Sequence, residues 1–237
     1  MQIVLSLSLL ARMMDPSLTV AQRNNACYEL RGNNDAQVVA TMRKALEDVK
    51  VRACAGTNLR KAGAVEELKD ALADPNFEIR ALAARELGGF ERPDLLPLLA
   101  STARDPQLLV GINAIEALAD YRDPVVLPYL LDLAKQGGMV GTAALDRALN
   151  FKDPRILETA RAILAHHDIS DRLAALKVIG LLGDATDLPA LKEIQQKETE
   201  AVSTSGRGFG LIPAISLSRA AQTAMERIGE RATQAAR

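Results

Sequence analysis

The sequence predicts an all-α fold, a right-handed solenoid of about seven antiparallel helix pairs. Its basis is a recurring pattern: a branched apolar residue, Arg or Gly, two residues, Ala, three residues, and a large apolar residue. The copies read Val51-Arg52…Ala55…Leu59, Ile79-Arg80…Ala83…Leu87, Val110-Gly111…Ala114…Leu118 and Val140-Gly141…Ala144…Ala148. A further copy, Arg172…Ala175…Ile179, has Asp171 in first place; a degenerate one precedes them at Arg23…Ala26…Leu30, and a late one ends at Ala224…Ile228. The second observation is the period. Steps between the Ala positions are 29, 28, 31, 30 and 31, with a last step of 49, and a fixed repeat of this length marks stacked units rather than one globular core. The third is composition: apolar residues make up 48% of the chain and aromatic residues 3%, with no Trp. Packing must therefore rest on Leu, Ile, Val and Ala, and Ala at helix crossings permits close approach.

Taken in order, the expected pairs span roughly 3–31, 35–62, 64–89, 93–121, 125–151, 154–183 and 186–229. Each has a Leu-rich outer helix and an inner helix carrying the repeat pattern. Asp15-Pro16, Asp74-Pro75 and Asp105-Pro106 fall between the helices of a pair, and Asp123-Pro124 and Asp153-Pro154 between pairs. Asp accepts from the free amides of a first turn and Pro at the first helical position loses no hydrogen bond, so each dipeptide is expected to start a helix. Gly32, Gly63, Gly88 and Gly183 are expected to end inner helices with a positive φ.

The apolar run 3–11 has the length of a signal-peptide core but no basic start and no small-x-small cleavage site. It leads straight into Arg12-Met13-Met14-Asp15-Pro16, the layout of later repeats, and is read as the first outer helix, a targeting remnant being the alternative. A terminal repeat needs a polar outer face, and Ile3, Val4, Leu5, Leu7, Leu9, Leu10, Met13 and Met14 leave little room for one. Self-association through this helix is the resulting expectation. Cys27 and Cys54 have no metal-ligand spacing. They are read as small buried hydrophobes in a reducing cytoplasm, with an inter-repeat disulfide in an exported protein as the alternative.

Three features exceed the repeat background. An insertion at about 199–212, containing STSGRGFGLIP, accounts for the 49-residue step. Its glycines around Arg207 and Phe209, ahead of a helix start, form a candidate recognition loop for a carboxylate or phosphate. Gly111 and Gly141 interrupt the row Arg23, Arg52, Arg80…Arg172, which suggests close approach or a helix start, with a shallow central groove for a peptide or small ligand as the alternative. The row Tyr28, Thr57, Arg85, Glu116, Asp146, Lys177 lies two positions after each repeat Ala and is expected on or near a concave face, where its alternating signs suit a polar partner segment.

The segments DPNFEIRALAARELGGF from Asp74 and VKVRACAGTNLRKAG from Val49 resemble HEAT repeats, in particular the short bacterial type of phycobiliprotein lyases. The resemblance extends over the chain as one HEAT-like, armadillo-like domain, 1–237, outside the insertion. It implies a scaffold holding a protein or peptide on the concave face; a lyase-like or other cofactor-handling enzyme subunit is the alternative. HEAT-like hydroxylases bind iron through His-Glu dipeptides, but here only the adjacent His166 and His167 occur, and neighbours about 100° apart on a helix do not readily share a metal. With 29 basic against 30 acidic residues, no basic stripe for nucleic acid is evident. No Ser, His and acid set or Cys–His pair can be assembled. The expectation is therefore a non-enzymatic scaffold without metal, cofactor, nucleic acid or membrane span, in the cytoplasm or alternatively periplasmic or secreted.

Overall fold

A computed structural model describes residues 2–165, 168–198 and 216–235, with backbone alone for 2–4. The described residues form fourteen α-helices and four single 3-10 turns. The chain divides into two compact units, Met1–Tyr129 and Leu130–Arg237. The first contains α1 (Gln2–Met14), α2 (Val20–Glu29), α3 (Ala36–Ala45), α4 (Arg52–Lys61), α5 (Val65–Ala71), α6 (Phe77–Gly88), α7 (Leu96–Thr102) and α8 (Leu108–Asp120). It also holds the start of α9 (Leu127–Lys135). The rest of α9 lies in the second unit with α10 (Gly138–Ala148), α11 (Pro154–Ile163), α12 (Ile169–Leu182), α13 (Leu188–Lys197) and α14 (Leu217–Ala235). The seven expected pairs are all present.

In the first unit α2, α4, α6 and α8 pack in succession, each also against the first helix of its own pair. In the second, α10, α12 and α14 pack in succession, α12 and α14 also against the first helix of their own pair. The repeat pattern explains why. Every repeat Ala from Ala26 to Ala175 is fully buried, and Leu30, Leu59, Leu87, Leu118, Ala148 and Ile179 four residues on are buried with them. Ala has no side chain beyond Cβ to hold two backbones apart, and the residue one turn later fills the layer beneath.

The flanks of the Ala position set the register between repeats. The residue after it meets the residue before the next one: Cys27 faces Cys54, and a Cβ on Gly56 would lie 2.8 Å from Leu82 Cδ2. Cys27 and Cys54 form a disulfide with Cα atoms 6.4 Å apart, so the free-thiol reading is wrong. The two cysteines stand on facing flanks of adjacent helices, a relation that linear spacing does not display. Closing a loop of 27 residues' separation is worth about 3–4 kcal/mol in the chain-entropy treatment.

Arginines tie the layers together on the polar side. Arg23 Nε donates to Met13 O at 2.7 Å and an Nη to the Asp48 carboxylate. Arg52 Nε donates to Leu46 O at 2.6 Å and an Nη to Glu78. Arg80 donates to Asp105 at 2.8 and 3.1 Å and to Asp74 O at 2.8 Å, and Arg172 reaches Glu198 at 2.7 Å. The first three each link the first helix or turn of their own pair to an acid of the next.

Several terminus expectations need correction. Asp15-Pro16, Asp74-Pro75 and Asp105-Pro106 sit in turns ahead of the helix, not at its start; their carboxylates accept from the amides of Ser17, Asn76 and Gln107. Thr19, in a reciprocal pair with Gln22, and Asn76 cap α2 and α6 instead. Asp123-Pro124 opens a 3-10 turn before α9, and Asp153-Pro154 starts α11 as expected. Gly32 and Gly63 have φ of +76° and +77°. Gly88 closes α6 and Gly183 has φ −68°. Close contact explains these two, since an added Cβ would lie 2.5 Å from Ala117 Cβ and from Ile179 O respectively.

The Arg23 and Arg80 guanidiniums hold the carboxyls of Asp48 and Asp105 below the usual carboxylate range. Their contribution to stability is present above the unfolded-state value near about 4 and is lost as pH falls through the lower folded value. Arg80→Ala is expected to lower stability by about 1–2 kcal/mol at neutral pH and to flatten this acid limb, as read from denaturant unfolding between pH 7 and 2. Under non-reducing denaturation neither cysteine should be alkylated, and after reduction both should be, as counted by intact mass.

Candidate functional site

The expected recognition loop, with Arg207 and Phe209, and the His166-His167 pair lie outside the described residues. The remaining candidates sit on the second helices of the pairs, and each unit presents its own set.

In the first unit Tyr28, Thr57, Arg85 and Glu116 occupy α2, α4, α6 and α8. Tyr28 is 52% exposed, with the Arg31 guanidinium 5.5 Å over its ring. The Arg85 side chain is 54% exposed although Nη2 donates to Glu86 Oε1 at 3.0 Å. Thr57 is half-buried and its hydroxyl donates to the same Glu86 oxygen at 3.4 Å. Glu116 is half-buried. The surface charge of this row is thus partly spent on a group the sequence did not single out. Glu86 is 5% exposed, and Arg60 of the preceding pair donates to its second oxygen at 2.8 Å. Burying a carboxylate is costly unless it is paired and hydrogen-bonded, and both conditions are met here by residues from two repeats.

In the second unit Asp146 on α10 and Lys177 on α12 are both exposed, and Lys177 Nζ donates to the Asp146 carboxylate. The expected sign change along the row is therefore an ion pair between neighbouring repeats. Gly111 and Gly141 are buried. At Gly141 a Cβ would lie 3.0 Å from Ala134 O and 3.1 Å from Leu133 O, so the space an Arg would need is taken by the last carbonyls of α9. Gly137 caps α10 at φ +74°, where a Cβ would sit 2.3 Å from Asp171 Oδ2. Asp171 is buried, accepts from Thr142 Oγ1 at 3.4 Å and brings a negative charge to the positive end of α10.

Other buried polar groups were not evident in the sequence. Asn58 on α4 donates through Nδ2 to Cys27 O at 2.6 Å while its Oδ1 has no partner. The Tyr121 hydroxyl is buried without a partner, and its pKa is pushed up chiefly by burial, with Asp94 and Glu91 adding to the effect. Asn58 and Glu86 both stand three residues after the repeat Ala, a position filled by Glu29, Ala117, Arg147 and Val178 in other pairs. Glu29 is exposed there, so a polar residue at this position does not by itself mark a buried group.

The first helix is better covered than expected. Leu9, Leu10 and Met13 are buried within the unit, and Ser8, Ala11 and Arg12 face solvent. Leu5, 60% exposed, and Leu7 remain, beside a cavity of about 600 Å³ lined by Leu5, Leu9, Leu30, Gly32, Asn33 and Val38 among others. Among the described residues no group of three or more His, Cys, Asp or Glu could hold a metal ion, and no helix is long and apolar enough to cross a membrane.

Gly141→Arg is expected to cost about 1–3 kcal/mol through overpacking against the α9 carbonyls, measurable as a lowered denaturant midpoint with an unchanged m-value.

Residues 65–145 match the family model for HEAT repeats, and no curated protein matches the sequence significantly. Among solved structures, human deoxyhypusine hydroxylase is similar at 15% identity and TM-score 0.40, covering 97% of this chain and 98% of that one. The complex of CpcE and CpcF of phycocyanin lyase from Nostoc sp. PCC7120 gives 20% identity and TM-score 0.42 with 94% of each chain covered. A designed armadillo repeat protein in complex with the peptide (KR)4 gives 15% and 0.41, covering 93% and 98%. Likenesses at this level carry no activity, ligand or partner to this chain. The seven helix pairs are built on one recurring pattern, and within them residues 65–145 are HEAT repeats.

Proposed function

We propose that the protein is a non-enzymatic scaffold that binds a protein or peptide segment on the face formed by the second helices of its first unit, α2, α4, α6 and α8. The observation that supports this reading is the exposure of Tyr28 and Arg85 in the last turns of α2 and α6. An aromatic ring and a guanidinium are the side chains that most often anchor interfaces. Both stand on helices fixed by buried Ala and Leu, so little ordering cost falls on binding. Glu86 holds Arg85 from one side and leaves its other donors free for a carbonyl or carboxylate of a partner.

The Cys27–Cys54 disulfide supports the exported alternative over the cytoplasmic one, because structural disulfides persist in oxidising compartments.

Affinity capture from the native source, with wild type, Tyr28→Ala and Arg85→Glu compared, tests the reading. A protein retained by wild type and reduced at least about tenfold by each substitution, the effect of about 1.4 kcal/mol or more, is the expected outcome. Equal retention of every bound species by all three proteins would overturn the proposed face. A chromophore or other cofactor mass in the purified protein would instead favour the lyase-like alternative.

A further inference from the structure

We infer, given that the face formed by α2, α4, α6 and α8 is a binding surface, that its partner is an acidic peptide segment with one carboxylate seated between Arg60 and Arg85. Glu86 on α6, 5% exposed, builds the site. Arg60 of the preceding pair donates through Nε to one of its carboxylate oxygens at 2.8 Å, and Arg85 donates through Nη2 to the other at 3.0 Å. Two guanidiniums are thereby held within the span of one carboxylate, which is too buried to turn away to water.

Both guanidiniums remain reachable, the Arg60 side chain being 27% and the Arg85 side chain 54% exposed. A guanidinium carries several N–H donors, and each of these uses one of them on Glu86. Arg60 is further fixed where its stem crosses Gly89. A Cβ on Gly89 would lie 2.6 Å from Arg60 Cδ and 3.0 Å from Nε, so the missing side chain is what lets Arg60 lie across the end of α6 and reach Glu86.

Formal charge decides the kind of ligand. Two guanidiniums and one carboxylate leave a net charge of +1, which one further carboxylate neutralises. A cationic ligand would add to the excess, and a phosphate dianion would leave a negative charge unmatched beside Glu86. The planar guanidinium fork also matches a carboxylate edge with parallel hydrogen bonds. On α2 the charges nearly cancel: Arg31 lies over the Tyr28 ring, and Glu29 between them in sequence is exposed. That end therefore offers an aromatic surface with little net charge. Tyr28 and Arg85 stand two helix spacings apart, about 16–20 Å, a span that about five or six extended residues cover.

Fluorescence anisotropy of a labelled hexaglutamate peptide with the full chain tests this, beside hexaglutamine, hexalysine and a peptide of three phosphoserine-glycine repeats. Wild type should bind hexaglutamate, more weakly as salt rises, and should bind neither the uncharged nor the basic peptide. Arg60→Gln and Arg85→Gln, whose amides can still donate to Glu86, should each lower that affinity about three- to tenfold. Absence of hexaglutamate binding at low salt, or binding that both variants leave unchanged, overturns the inference. So does equal or tighter binding of the phosphoserine peptide, whose charge at neutral pH is close to that of hexaglutamate. Nuclear magnetic resonance of wild type is a second readout that does not depend on how the variants fold. Hexaglutamate should shift the Nε–H signals of Arg60 and Arg85 and leave that of Arg155, paired with Asp153, in place; Arg60 and Arg85 signals that do not move count against the site. Capture of a protein that Tyr28→Ala and Arg85→Glu both weaken, with no peptide binding, would keep the face and discard its acidic specificity.

Discussion

Close approach of successive second helices at the repeat Ala is the constraint on which the other features rest. Ala26, Ala55, Ala83 and Ala114 are fully buried in the first unit, as are Ala144 and Ala175 in the second. A larger side chain at any of them would separate two backbones and every group that spans them. The arginine ties show this dependence. Each of Arg23, Arg52 and Arg80 holds a carbonyl or turn of its own pair while reaching an acid of the next, which is possible only at one helix separation. The disulfide and the Gly56–Leu82 contact depend on the same spacing.

Polar ties of this kind add modest increments to an apolar scaffold. Partly exposed ion pairs contribute little each, but a buried member changes the balance. Arg23 and Glu86 are nearly inaccessible, so removing a partner leaves a charge that cannot turn to water. Because each tie spans one junction, its loss is felt locally, as expected for an array whose stability is a sum over neighbours.

The repeat Ala series, the seven pairs and their approximate bounds were legible because a period of about thirty residues is a property of linear sequence. Relations across a junction were not. Cys27 and Cys54 are one residue to either side of the Ala position, and only the stacking shows that those flanks face each other. Nothing local marks Glu86 as buried, because Arg60 and Thr57 close on it from the previous repeat. The Asp-Pro dipeptides misled for a different reason: Asp accepts equally well from an amide two residues on in a turn or in a helix cap, and local chemistry does not separate the cases. Gly183 was read for φ when its requirement is space.

Asn58 and Glu86 also bear on how such an array can grow. Asn58 takes its acceptor from Cys27, and Glu86 takes its donors from Thr57 and Arg60, so the second and third pairs each hold a polar group matched to the particular pair before them. Duplicating, deleting or reordering pairs at these two junctions would bury an amide or carboxylate against the wrong neighbour. Where the same position carries Ala117 or Val178, no such group enforces the order, and unequal exchange of repeats meets only the milder demands of apolar fit.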